Sequence, residues 1–335
     1  MNIVILDDYQ DVVRKLPCAS KLNGYTAKVY TNTVKGAGQL SVRLKDADVL
    51  VLIRERTHIT RALVEKLPRL KLIAQTGRLG AHIDLNACTE YGIAVCETSC
   101  SAQPAAELTW ALVMAAVRRL PQYIGNLKHS AWQQSGFKSA SMPPNFCIGT
   151  TLKDKTLGVW GYGRIGRLVA GYGKAFKMRV IIWGSEQSRN AAQVDGFEAA
   201  PSREEFFESA DVLSLHLQLN DQTRGIVQLD DLARMKPTAL FINTARAELL
   251  APEALLTALN RGRPGLAAID VYESEPPLQG YALLRLENCI CTPHIGYVEQ
   301  ENFDAMFSIA FDNVINFIQG QPTNLINPGA LEVRR

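Results

Sequence analysis

Leu157-Gly158-Val159-Trp160-Gly161-Tyr162-Gly163-Arg164-Ile165-Gly166 runs a short apolar segment into a Gly-x-Gly-x-x-Gly turn, and Arg167 to Phe176 continues as a helix. A strand, a tight turn and a helix N-terminus in that order suit the pyrophosphate of a dinucleotide. Gly161 makes the turn, Gly163 lets the backbone approach phosphate, and Gly166 lets the helix pack close to the strand. The helix start adds N–H groups without intrahelical partners and the positive end of its dipole. Glycine-rich turns also serve plain strand–helix connections, so the reading depends on what surrounds this one.

Downstream, Arg179–Trp183 reads as the second strand of the same unit. The residue at its end discriminates between the two nicotinamide cofactors: an acid holds the ribose hydroxyls of NAD, and a nearby Arg accommodates the phosphate of NADP. Gly184-Ser185-Glu186 stands there, with Arg189 further on. Glu186 suits NAD and Ser185 with Arg189 suits a phosphate, so the expectation is NAD with NADP not excluded. Further strands are expected at 211–215, 239–243, 267–271 and 289–292, with helices near 203–208, 229–235 and 252–260. Each strand runs into something polar: His216, then Asn243-Thr244-Ala245-Arg246, then Asp270 and Glu275, then His294. Four such endings on one parallel sheet converge on the crevice outside its carboxyl edge.

Upstream, strands at 2–7, 26–31, 48–53, 71–75 and 93–96 alternate with helices near 10–16, 36–45, 60–66 and 84–90, which predicts a second parallel α/β unit. It has no Gly-x-Gly-x-x-Gly of its own. Arg54-Glu55-Arg56-Thr57 follows one strand, Thr76-Gly77-Arg78-Leu79-Gly80 the next, and Thr98 to Pro104 makes a third loop. Arg54 is read as a ligand contact, with a solvated basic turn as the alternative. The Thr76–Gly80 loop can offer backbone N–H groups to a carboxylate, as a nest does. Pro104 to Leu120 is expected as one long helix, so apolar that it is buried on most faces. From Gly125 to Lys155 the chain reads as polar and irregular, with Trp132 a local packing anchor. An amphipathic helix about Val298–Gln319 closes at Gly320.

With 335 residues the chain has room for two cores, and 21% charged with 47% apolar residues is the make-up of a soluble globular protein. A net charge of +3, scattered along the chain, argues against nucleic acid or an acidic membrane as partner. No apolar run reaches the length of a membrane span, and the N-terminus opens as a strand rather than a leader. The seven cysteines, including Cys289 and Cys291 on one strand face, lack metal-ligand spacing and read as reduced thiols of a cytoplasmic protein, with no metal site.

Taken together, these motifs resemble the D-isomer-specific 2-hydroxyacid dehydrogenases. Leu70-Lys71-Leu72-Ile73 through Ile83-Asp84-Leu85 is similar to the family's substrate-loop region. Met235-Lys236-Pro237 with Ile242 to Arg246 is similar to its arginine motif, Ala268 to Pro276 to its glutamate motif, and Thr292-Pro293-His294-Ile295-Gly296 to its histidine motif. Arg54 to Thr60 resembles the phosphoglycerate dehydrogenases in particular.

The resemblance implies two doubly wound α/β domains, with a Rossmann NAD-binding domain (99–296) inserted into a flavodoxin-like substrate domain (1–98 plus 297–335). Hinges near 98–103 and 295–298 would let it close. It implies His294 as the base for a hydroxyl proton, Glu275 orienting it and stabilising its imidazolium, and Arg246 holding the substrate carboxylate. Cofactor contacts are implied at Gly161, Gly163, Arg164, Ile165, Gly166, His216, Thr244 and Asp270, the last at the nicotinamide end. Substrate contacts are implied at Arg54, Arg78 and Leu79. The partner is then a small anionic 2-hydroxy or 2-keto acid, D-3-phosphoglycerate among them, and the family's habit is a homodimer. Where the family commonly has Gly-Val-Gly, this chain has Gly77-Arg78-Leu79, which makes the pocket bulkier and more basic. A cofactor-sensing binding protein, like the corepressors sharing this architecture, is the competing reading.

Overall fold

The computed structural model describes residues 1–133 and 146–333. In chain order these form β1 (Asn2–Ile5), β2 (Thr26–Val29), α1 (Ala37–Leu44), β3 (Val49–Ile53), α2 (Arg61–Val64), β4 (Leu72–Thr76), α3 (Leu85–Glu90), β5 (Ala94–Cys96), α4 (Gln103–Val117) and α5 (Leu120–Lys128). There follow β6 (Thr156–Trp160), α6 (Arg164–Ala175), β7 (Arg179–Trp183), α7 (Glu186–Val194), β8 (Glu198–Ala199), α8 (Arg203–Ser209), β9 (Val212–Leu215) and α9 (Leu229–Arg234). The remainder are β10 (Leu240–Asn243), α10 (Ala254–Asn260), β11 (Leu266–Ile269), β12 (Cys289–Cys291) and α11 (Gln300–Ile318). The chain divides into two compact units, Met1–Ser101 with Val298–Arg335, and Ala102–Tyr297.

The first unit is a parallel sheet in the order β2-β1-β3-β4-β5, the flavodoxin-like winding. Every residue of β3 (VLVLI) and β4 (LIAQT) is buried, which is why both read as near-continuous apolar runs: a parallel sheet is covered on both faces. α11 packs on β4 with Phe303, Met306, Phe307, Ala310, Phe311 and Val314, a stripe of helical period. The helix expected near 10–16 is instead two 3-10 turns, Val13–Lys15 and Pro17–Leu22. Pro17 drives Leu16 into extended backbone (φ −67°, ψ 143°), so no α-helix can run through it.

The second unit is a seven-stranded parallel sheet, β12-β11-β10-β9-β6-β7-β8. Counted from β6 this is the dinucleotide-fold order extended by one strand, with its switch point between β6 and β9. Two apolar layers cover its faces, one around Phe206, Phe207 and Phe241, the other around Val113, Val169 and Ile242. Burying each of those phenylalanines contributes about 2–3 kcal/mol.

Two expectations fail here. The helix expected over 104–120 stops at Val117, and α5 starts afresh at Leu120. Pro121 cannot continue a helix from above, and Arg119 takes a left-handed turn (φ 56°) with its guanidinium on the carbonyls of Ala116 and Phe146. Within α4 only the stripe Gln103, Glu107 and Ala111 is exposed, so the helix is covered on most faces, as expected. The stretch expected to be irregular from Gly125 is helical to Lys128, and Trp132 is 71% exposed rather than a packing anchor. Pro143 and Pro144 lie outside the described residues.

Candidate active site

The glycine turn sits at the switch point of the second unit. Gly161 has φ +99°, and a Cβ there would come 2.6 Å from the main-chain oxygen of His216. A Cβ on Gly166 would come 2.0 Å from the carbonyl oxygen of Gly161, so the helix can approach the turn only without a side chain. Gly163 faces open space, with nothing within 4 Å of where a Cβ would stand. It is the N-cap of α6 and no side chain caps that helix. This is a cradle with room for phosphate against backbone N–H groups, and it fits the pyrophosphate of NAD. Arg164 and Ile165 open the helix beside it.

Beyond β7, Gly184 (φ +151°) leads into Ser185, whose Oγ accepts from the Ser188 N–H at 3.3 Å and caps α7. The Arg189 guanidinium lies over the Trp183 ring, 4.8 Å from its centroid. α7 itself was not foreseen, although Ser185 as N-cap was its signal. His216, just past β9, has its Nε2 2.9 Å from Ser214 Oγ, and burial pushes its imidazole down to about 4, which keeps it neutral. Thr244 shares a 2.7 Å hydrogen bond with Thr109 of α4.

Because β9, β10, β11 and β12 are neighbours and parallel, the residues after them line up along one edge. After β10, the Asn243 side chain accepts from the Ala245 N–H (3.0 Å) and donates to the Arg246 carbonyl (2.8 Å), clamping the loop that carries Arg246. Arg246 is half-buried and donates to the Ala245 carbonyl at 2.6 Å. After β11, Glu275 spends one oxygen on the Tyr272 N–H (3.1 Å) and the other on His294 Nδ1 (2.6 Å). His294 lies in left-handed backbone (φ 51°), and its side chain keeps 23% exposure. Its Nδ1 is taken by Glu275, which leaves Nε2 to exchange a proton with a substrate oxygen.

Asp270, expected at the nicotinamide end, turns both oxygens on the His294 segment. Oδ1 accepts from Thr292 Oγ1 (2.7 Å) and the Ile295 N–H (2.9 Å), and Oδ2 accepts from the Gly296 N–H (2.8 Å). Burial pushes its carboxyl above the usual range, and these donors draw it back in part. Tyr272 donates its hydroxyl to the Thr292 carbonyl at 2.8 Å. Sequence reasoning gave no role to Asn243 or Tyr272, since only the strand order brings them to the loops they hold.

In the first unit, Arg54 follows β3 in left-handed backbone (φ 52°), its N–H on Thr76 Oγ1 (2.9 Å) and its Nη1 3.5 Å from Cys100 Sγ. Its guanidinium lies so close over Gly77 (φ +81°) that a Cβ there would be 1.8 Å from Nη1. The loop after β4 is already furnished with acceptors: the Gly77 N–H donates to Thr98 Oγ1 (2.6 Å) and the Leu79 N–H to Glu97 Oε2 (2.9 Å). Arg78 is exposed. Arg56 is a structural cation, bonded to the Asp7 carbonyl (2.5 Å) and Gln10 (3.2 Å) and lying over Tyr9. Among the described residues no group of three or more His, Cys, Asp or Glu side chains could hold a metal, and no helix is long and apolar enough to cross a membrane.

Comparison with known proteins bears on this geometry. Residues 110–296 match the model of the D-isomer-specific 2-hydroxyacid dehydrogenase NAD-binding domain. A solved oxidoreductase of Ralstonia solanacearum, described as a D-3-phosphoglycerate dehydrogenase, superposes with a TM-score of 0.97 at 60% identity over 98% of each chain. A D-3-phosphoglycerate dehydrogenase of Methanocaldococcus jannaschii is 37% identical over 86% of this chain, which spans only 53% of that relative. A glyoxylate reductase of Aeropyrum pernix is 34% identical over 88% of this chain and 87% of its own.

Proposed function

The chain belongs to the D-isomer-specific 2-hydroxyacid dehydrogenases, NAD-dependent oxidoreductases of CH–OH donors, and from that membership we propose that it interconverts a small anionic D-2-hydroxy acid and its 2-keto acid. The observation that carries the reading is the 2.6 Å contact of His294 Nδ1 with Glu275, with Arg246 on the adjoining strand. The Gly161–Gly166 turn would hold NAD, which when bound would supply the hydride acceptor. His294 takes the hydroxyl proton at Nε2, and Glu275 holds the ring in one orientation and offsets the charge it gains. Arg246, permanently charged and fork-shaped, grips the substrate carboxylate. In the reverse direction the same His294 returns the proton and Arg246 polarises the keto oxygen.

Cofactor contacts are assigned to the Gly161–Gly166 turn with His216, Thr244 and Asp270, and substrate contacts to Arg54, Arg78 and Leu79. Three-phosphoglycerate and its keto acid are the first pair to test, because Arg54 and Arg78 add positive charge. A homodimer is part of the reading, supported by the exposed α5 stripe of Leu120, Ile124 and Leu127. So is a cytoplasmic setting, which suits seven cysteines all present as thiols. The cofactor-sensor reading gains nothing from the relatives, whose names are those of dehydrogenases and reductases.

The test is reduction of hydroxypyruvate, glyoxylate, phosphohydroxypyruvate, pyruvate and bulky apolar 2-keto acids with NADH and NADPH separately. Turnover is expected with small anionic acids and NADH, falling about 100- to 10,000-fold in His294→Ala while NADH binding persists. NADH bound tightly with no turnover on any acid would sink the reading.

A further inference from the structure

Two thiols stand side by side next to the His294 segment and have no part in the chemistry above. β12 is an edge strand, and its Cys289 and Cys291 project from the same face with their sulfurs 3.7 Å apart. Both are half-buried against the layer that contains Tyr272 and Leu283, and Cys291 Sγ reaches the Leu283 carbonyl at 3.7 Å. We propose that this pair is a dithiol modification site that exchanges with a low-molecular-weight disulfide and closes to an intramolecular bond, displacing His294 and stopping turnover.

The order of the steps follows from the surroundings. The hydrogen bond from Cys289 draws the Cys291 thiol below the ordinary range, while the same contact and burial push Cys289 well above it. Cys291, as thiolate, attacks one sulfur of the external disulfide; that S–S bond breaks and one external thiolate leaves, taking up a proton. Cys289 then loses its proton to solvent and attacks the Cys291 sulfur, expelling the external thiolate and forming Cys289–Cys291. The two protein thiols are oxidised and the external disulfide is reduced to two thiols, so no other oxidant is needed.

Geometry makes the closure consequential. Residues two apart on a parallel strand have Cα atoms about 6.6 Å apart, at the upper end of the roughly 4.4–6.8 Å that a disulfide spans. Drawing the sulfurs to about 2.05 Å therefore contracts β12. Thr292 follows at once, held by the Tyr272 hydroxyl and by Asp270, and its carbonyl accepts the His294 N–H at 3.0 Å. The Tyr272 N–H in turn holds Glu275. Contraction thus pulls on both members of the His294–Glu275 pair, and a misplacement of about 1 Å costs on the order of 100-fold in rate.

The inference goes beyond the proposed activity and is tested partly without it. The full chain is incubated with oxidised glutathione, remaining thiols are alkylated, and tryptic peptides are weighed; Leu286–Arg334 contains no cysteine besides these two. The expected peptide is lighter by two hydrogens and carries neither label nor glutathione. Turnover should fall about 100-fold and return with dithiothreitol. Cys289→Ser should keep untreated turnover, stop at a glutathione adduct on Cys291, and never give the closed peptide. Two alkylated cysteines, a persistent glutathione adduct in the unaltered chain, or a closed disulfide with turnover undiminished would each overturn the proposal. The peptide masses are read even if no substrate turns over, so failure of the switch and failure of the dehydrogenase reading give different results.

Discussion

Each unit of this molecule has a glycine turn at the carboxyl end of a buried parallel strand, and the two turns have opposite chemistry. Gly161 and Gly77 both start in left-handed backbone, at φ +99° and +81°. Past Gly161 the turn stays open at Gly163 and passes into the uncapped start of α6. Past Gly77 the chain has supplied its own acceptors, Thr98 to the Gly77 N–H and Glu97 to the Leu79 N–H, and has laid Arg54 across the top. A hydrogen bond to a charged acceptor contributes about 1.5–3 kcal/mol, so an incoming carboxylate meets a competitor in one turn and none of this kind in the other. A glycine turn takes an anion more readily where the neighbouring sequence lays no charged acceptor on its N–H groups.

Closing the open turn should have the largest effect. Gly166→Ala places a methyl group 2.0 Å from the Gly161 carbonyl oxygen. NADH affinity is expected to fall about 100-fold, equivalent to overpacking by about 3 kcal/mol, as read by calorimetry. Unaltered affinity would break the contrast at its root. Next is His216, whose carbonyl backs Gly161 and whose imidazole is pushed down from 6.5 to about 4. With the folded value depressed, the unfolded chain binds the extra proton first. The contribution is therefore complete above pH 6.5 and disappears as pH falls towards 4. Urea unfolding should show about 2 kcal/mol lost across that window, discounted for partial solvent contact, and His216→Gln should flatten the difference. Equal pH slopes in the two proteins would contradict it. The smallest expected effect tests the furnished turn. Glu97→Gln keeps an acceptor for Leu79 and removes the charge, so KM for an anionic keto acid should drop several-fold at low salt, worth about 1 kcal/mol, with NADH affinity unchanged. An unmoved KM would mean the loop does not meet the acid.

Much of this was legible in advance because local pattern and final environment agree. β3 and β4 are apolar along nearly their whole length because nothing in them faces water, and the Gly161–Gly166 spacing states its own geometry. The break between α4 and α5 was legible too, had Pro121 been given its weight. What escaped depends on distance along the chain. Glu97 meets Leu79 across 18 residues, and Asp270 reaches Gly296 across 26. No periodicity encodes such contacts; they follow from which strands are neighbours. The pairing of Glu275 with His294 was anticipated only through resemblance, since neither residue type in a loop specifies a partner 19 positions away.

The placement of α11 has a consequence for how the protein is made. β4 is buried throughout, and the helix that packs on it is synthesised only after the whole of Ala102–Tyr297 has been translated. At about 5–20 residues per second, the nascent first unit waits on the order of ten to forty seconds with that face of β4 unclothed. During that interval the second unit can assemble from contiguous sequence, whereas the first, although translated earlier, must finish later. The emerging chain thus carries an apolar sheet face that is prone to aggregation until α11 arrives to cover it.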